Sequence, residues 1–235
     1  VTLLFAQDSY ERVAEAYIAG LETYAAQGGD LKQVASVASF FISRIDTAID
    51  TLIAARLQAG TDANETSVLR GLIGKVAIAN AKLTYQRYQE LFSGRRWQAL
   101  ASRGAQTQRL LWASTGTKNP NYRDVVYVEE LIGPDTVNTM PPATFDAFRD
   151  HGRPRASLVD YVESDADTMA TLAEVGISMK EVTDKLLVDG VQLFSDAFGK
   201  LLKAVEKQTR QAGAASLNRL TYTLPEPLAA AGKES

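Results

Sequence analysis

The chain has 235 residues, 46% of them apolar, and carries 25 basic against 28 acidic side chains for a formal net charge of −3. That length suits one α/β barrel or two small domains, and the near-neutral balance argues against a broad nucleic-acid-binding surface. With no cysteine there are no disulfides, thiolate nucleophiles or Cys-ligated metals, and the single histidine, His151, cannot build a His-rich metal site.

In chain order, Val1-Thr2-Leu3-Leu4-Phe5 opens as a strand, which is not the charged start of a signal peptide. Asp8–Ala26 places Val13, Ala14, Tyr17, Ile18, Leu21 and Tyr24 at helical spacings, and Gln27-Gly28-Gly29-Asp30 supplies a turn. A strand is predicted over Val34–Ile42 and a helix over Asp46–Gly60. After the polar break Thr61–Asn64, helical sequence is predicted from about Ser67 to Phe92, with Ile78, Leu83, Tyr85, Tyr88 and Leu91. Trp97–Arg103 reads as a further short helix, Arg109–Ser114 as a strand, and Val125–Leu131 as a short helix or strand. A last strand, Thr136–Thr139, ends at Pro141-Pro142. Thr144–His151, Asp165–Val175 and Met179–Gln208 are predicted helices, the last with Val182, Leu186, Val191, Phe194, Phe198, Leu201 and Val205 on one stripe and Gly190 as a break or kink. Residues 1–212 are expected to form a single α/β unit, and residues 213–235 an extended or mobile tail. No run of 18 apolar residues occurs, so no membrane span is predicted and the expectation is a soluble cytoplasmic protein.

Three of the apolar segments run into polar clusters: Val37-Ala38-Ser39-Phe40-Phe41-Ile42-Ser43-Arg44, Leu110-Leu111-Trp112-Ala113-Ser114-Thr115-Gly116-Thr117-Lys118, and Asp135-Thr136-Val137-Asn138-Thr139-Met140-Pro141. Strands separated by helical sequence imply a parallel sheet, and polar groups at the C-terminal strand ends are where such folds place their chemistry. Four strands make only half of an eight-stranded barrel.

The ordered segments Val1–Phe5, Ser36–Arg44, Trp112–Pro120 and Gly133–Pro141, with the later run Asp184–Phe194, resemble transaldolase, in particular its long-chain bacterial branch. The resemblance extends from Val1 to about Gln208. It implies a (β/α)₈ TIM barrel of which this chain supplies about the last four strand–helix units. It also implies transfer of a dihydroxyacetone unit between sugar phosphates (sedoheptulose 7-phosphate and glyceraldehyde 3-phosphate to erythrose 4-phosphate and fructose 6-phosphate) through a lysine Schiff base. The nucleophile and the acid/base carboxylates are expected upstream of Val1, so this chain alone is expected to be inactive. The partner is then the missing N-terminal half of the barrel or a second copy, with no cofactor, metal, nucleic acid or membrane involved. The alternative is a non-catalytic sugar-phosphate-binding or assembly fragment.

By the same resemblance, Thr2 faces the barrel mouth, Ser39 hydrogen-bonds the dihydroxyacetone moiety, Phe41 walls the pocket, and Arg44, Ser114 and Lys118 hold the phosphate. A planar guanidinium suits a phosphate because it offers paired, charge-assisted hydrogen bonds. Plainer roles stand beside these. Arg44 could pair with Asp46 or Asp50 on the following helix, and Ser39 and Ser114 could be small strand residues that allow close packing. Lys75 and Lys82 are expected to be solvated helix residues, since Gly74-Lys75-Val76 has no glycine-rich run before it. Glu129-Glu130 is expected to be structural, and His151 exposed.

Overall fold

The computed structural model describes residues 1–211. The tail predicted for 213–235 lies outside the described residues. The chain divides at Gly190 into a unit Val1–Gly190 and a second one beginning at Val191, whose described part is the latter half of a single helix.

The first unit is α/β. Its helix α1 (Gln7–Ala26) buries Tyr10, Ala14, Ile18, Leu21 and Ala25, at spacings of three and four that make one face. Strand β1 (Val37–Phe41) leads at once into α2 (Ser43–Ala59), which buries Ile45, Asp46, Ile49 and Ile53. Helix α3 (Ala63–Leu72) starts at Asp62, whose carboxylate accepts from the Glu65 N–H at 2.8 Å. The helical sequence predicted from about Ser67 to Phe92 forms two helices: α3 stops at Leu72 and α4 runs from Val76 to Leu91. Gly74 sits between them at φ +71°, and the ring of Tyr122 occupies the space a Cβ would need, 2.8 Å from its Cζ. Helix α5 (Arg95–Ala101), β2 (Arg109–Ala113), the four-residue α6 (Val126–Glu129) and β3 (Thr136–Asn138) follow. The unit is completed by α7 (Pro142–His151), α8 (Val162–Glu174) and the first part of α9 (Met179–Gln211).

The strands pair in parallel in the order β1-β2-β3, with Ser39 opposite Leu111 and Leu111 opposite Val137. The opening strand expected over Val1–Phe5 is reduced to a single bridge, Leu4 to Phe40. The Ser39 N–H donates to Val1 O at 3.0 Å, while Ser39 O accepts from the Leu4 N–H at 3.1 Å. Two residues, Thr2 and Leu3, therefore stand opposite one, which is a bulge, and Leu3 takes φ +62° to make it. A left-handed leucine costs about 1–2 kcal/mol.

Ala38, Phe40, Leu110 and Trp112 point to the helix-covered face, where Trp112 is fully buried and meets Phe40 edge to face at 6.2 Å. Ser39 and Leu111 alternate to the opposite face and are only half-buried. Helix α4 is enclosed by its neighbours, and this overturns the solvated assignment of Lys82, which is 2% exposed. Its ammonium donates to Asp160 O at 3.1 Å and Glu130 Oε2 at 3.4 Å, with Asp165 Oδ2 at 4.0 Å. Helical periodicity shows which face of an isolated helix is apolar, not whether a second helix covers the polar one. Lys75, which precedes the first residue of α4, is exposed, in line with the expectation for it.

Glu129 is locked by Arg123 and by the Arg153 N–H, and Glu130 by Arg155 and Lys82, which gives both carboxylates structural partners. His151 is exposed and bridges Asp124 and Asp150. Gly190 does not break α9: the helix runs through it, and a Cβ there would stand 3.1 Å from Leu3 Cδ2. Gly20, inside α1, has nothing within 4 Å of a built Cβ. Gly20→Ala is thus expected to stabilise by about 0.5–1 kcal/mol, whereas Gly190→Ala should gain nothing because Leu3 must shift. Urea midpoints of the two variants check this, and an equal gain at both sites would remove the packing role assigned to Gly190.

Candidate functional site

The β1–α2 junction builds the centre of the site. Phe41 ends the strand, Ile42 is buried, and Ser43 and Arg44 form the first turn of α2. Phe41 packs on Phe5 with ring centroids 5.3 Å apart, and the Arg44 guanidinium lies 5.1 Å over the Phe41 ring. The neighbouring β2 end is stitched to this junction. The Ile42 N–H donates to Ala113 O at 3.0 Å, the Ser43 N–H to Ser114 O at 3.1 Å, and the two serine hydroxyls lie 3.0 Å apart. Ser114 adopts φ +59°, and Thr115 is fully buried with its hydroxyl donating to Asn138 Oδ1 at 2.8 Å. That pair of hydrogen-bonded turns fixes the loop that carries Lys118.

Arg44 and Lys118 line one cavity of about 470 Å³, together with Thr47, Thr51 and apolar residues of α2 and α9. Among the described residues neither cation is in an ion pair. The plainer role for Arg44 is thereby overturned, because both candidate carboxylates are engaged elsewhere. Asp46 accepts from the Ala77 N–H and from the Tyr127 hydroxyl, each at 2.8 Å. Asp50 accepts from the Tyr122 hydroxyl and from the Gly74 N–H. Burial pushes the Asp46 carboxyl up to about 6, against its two hydrogen bonds, and burial likewise raises Asp50. Burial, then the adjacent carboxylates, raise both phenols, so Tyr122 and Tyr127 stay protonated donors. Asp50, Tyr122 and Tyr127 line a second cavity of about 440 Å³, which shares Lys118, Thr47 and Thr51 with the first, and Asp46 is buried behind Tyr127.

The structure thus brings Arg44 and Lys118 together and links Ser114 to their base through Ser43. Thr2 and Ser39 are neighbours at the bulge but do not line the Arg44 cavity; Thr2 is exposed and Ser39 half-buried. Sequence reasoning missed Ser43, Asp46, Asp50, Tyr122 and Tyr127. A signal existed for one pair: Asp46 and Asp50 lie one turn apart on a helix whose buried face they share with Ile45 and Ile49. Among the described residues no group of three His, Cys, Asp or Glu side chains could hold a metal ion, and no helix is long and apolar enough to cross a membrane.

Comparison with known families matches residues 1–205 to Transaldolase/Fructose-6-phosphate aldolase. A protein of Trichodesmium erythraeum named transaldolase is 47% identical over 213 residues, covering 90% of this chain and 56% of that protein. One of Nostoc punctiforme named transaldolase 2 is 48% identical over 217 residues, covering 89% and 56%. One of Streptomyces avermitilis named transaldolase 1 is 47% identical over 216 residues, covering 91% and 55%. The chain spans about half the length of the curated relatives it matches.

Proposed function

The chain belongs to the transaldolase/fructose-6-phosphate aldolase family, and on that premise we propose that it is the phosphate-holding, C-terminal part of a transaldolase barrel. The complete enzyme moves a dihydroxyacetone unit from a ketose phosphate to an aldose phosphate. A lysine amine condenses with the ketose carbonyl, water leaves, and the resulting iminium accepts the electron pair of the carbon–carbon bond that breaks. The enamine so formed attacks the acceptor aldehyde, and hydrolysis returns the free amine. That lysine and the proton-transferring carboxylates belong to barrel strands outside these 235 residues, while this chain supplies about the last four strand–helix units.

One observation carries the reading: Arg44 and Lys118, on adjacent strand ends, face one cavity with no carboxylate paired to either among the described residues. A phosphate dianion there gains charge-assisted hydrogen bonds from a planar fork and a point charge. Phe41 holds the guanidinium over the strand end, and the bulge at Thr2-Leu3 re-aims the edge beside Ser39 toward the dihydroxyacetone moiety.

Borohydride reduction in the presence of fructose 6-phosphate, read by intact mass, tests the assignment. No dihydroxyacetone-sized adduct is expected on this chain, and an adduct is expected on a polypeptide that includes the rest of the barrel. An adduct on Lys118 of this chain would overturn the placement of the nucleophile. Phosphate affinity without an adduct on either polypeptide would instead support a non-catalytic sugar-phosphate-binding protein.

A further inference from the structure

The cavity that holds Arg44 and Lys118 has a wall made by α9, which contributes Val182, Lys185, Leu186 and Asp189. The Lys185 ammonium contacts Asp189 Oδ2 at 2.8 Å, one turn along the helix. The other polar side chains of the cavity are already committed: the Thr47 hydroxyl donates to Ser43 O at 2.9 Å and the Thr51 hydroxyl to Thr47 O at 2.7 Å. The rest of the lining, Ala48, Leu52, Val182 and Leu186, is apolar. An anion entering here therefore meets three side-chain cations, Arg44, Lys118 and Lys185, and one acid, Asp189. A surface Lys–Asp pair at this spacing is a weak, solvent-screened contact, so a dianion outcompetes the carboxylate.

We propose that Lys185 is a third cation of the sugar-phosphate site and that Asp189 is its resting counter-ion. Asp189 holds Lys185 on the helix surface when the cavity has no anion and yields it when a phosphate monoester enters. The inference rests on the phosphate reading of Arg44 and Lys118 and adds to it a contribution from α9, so that phosphate binding bridges α2, the β2 loop and α9. An internal comparison exists on the same helix. Lys180 and Asp184 form an equivalent pair at 2.5 Å, and neither lines the cavity.

The test is inorganic phosphate binding to the 235-residue chain by calorimetry at low ionic strength, with circular dichroism to confirm folding of each variant. Lys185→Met is expected to weaken binding about 5–10-fold, the loss of one partly exposed charge contact to the anion. Lys180→Met should leave it unchanged. Asp189→Asn should tighten binding about 3-fold in the parent chain, by removing an acid that competes for Lys185 and repels the anion. Equal affinities for the parent, Lys185→Met and Lys180→Met chains, with Arg44→Ala still losing binding, would overturn the role of Lys185 and leave the phosphate site standing. Phosphate binding absent from the parent chain, or indifferent to Arg44, would overturn both.

Discussion

The contribution of Asp46 to stability is expected to fall as pH rises from about 4 to about 6, by on the order of 3 kcal/mol, and the Asp46→Asn variant is expected to lose that part of the pH dependence. Asp46 is 1% exposed, and burial pushes its carboxyl from an ordinary 3.8 up to about 6. In the unfolded chain the group releases its proton near its ordinary value, whereas in the folded chain it keeps the proton longer. Between those two values the folded state binds more protons, so raising the pH favours unfolding. The contribution is fully present below the unfolded value, falls as pH rises through the folded one, and is constant above it. Asparagine keeps an oxygen for the Ala77 N–H and carries no charge. At neutral pH it should therefore gain roughly 1–2 kcal/mol after the rearranged contact with Tyr127 is allowed for. Asp50, also raised, slopes in the same direction and stays in both proteins, so the difference between them isolates Asp46. Urea midpoints at pH 4, 5, 6 and 7.5 measure it. An asparagine variant that keeps the full slope would show that Asp46 is not the buried titrating group.

Arg44→Ala is expected to weaken binding of a phosphate monoester about 30-fold or more, because a desolvated, charge-assisted contact is lost while the anion remains in the cavity. The fold should barely notice. Among the described residues Arg44 makes no ion pair, and its contact with Phe41 is worth about 0.5–1 kcal/mol. Arg44→Lys should recover only part of the affinity, since an ammonium cannot present two parallel N–H groups to one phosphate. Calorimetric titration with fructose 6-phosphate, beside a urea denaturation series, separates the binding loss from any folding loss. Undiminished affinity in the alanine variant would remove Arg44 from the site and the phosphate reading with it.

The two expectations differ in how visible their residues are in a linear sequence. Arg44 follows an apolar run at the point where an α/β fold turns from strand to helix, so its position at the mouth of a site could be read from order alone. The strands β1, β2 and β3 were legible for the same reason: each is a short apolar segment that ends at a polar cluster, and each stands within a few residues of its predicted bounds. Asp46 had no such signal. Its carboxylate is buried because the N-terminus of α4 and the Tyr127 side chain of α6 close over α2, and those groups lie 31 and 81 residues away in the chain.

Lys82 makes the same point on α4. A lysine on an amphipathic helix is solvated unless another helix covers it, and α8, which does so, is about 80 residues further along. The break at Gly74 and the bulge opposite Ser39 are likewise products of contact. In the first a tyrosine ring takes the place of a Cβ, and in the second a left-handed Leu3 is seated against Gly190 of α9. Local order by itself determined the α/β class, the three paired strands and the residues at their ends, because apolar periodicity and strand-end polarity are properties of neighbours in the chain. Which charges are buried, which carboxylates are already engaged and which cations share a cavity were decided only by the tertiary structure, because desolvation and hydrogen-bond satisfaction depend on groups brought together from distant parts of the sequence.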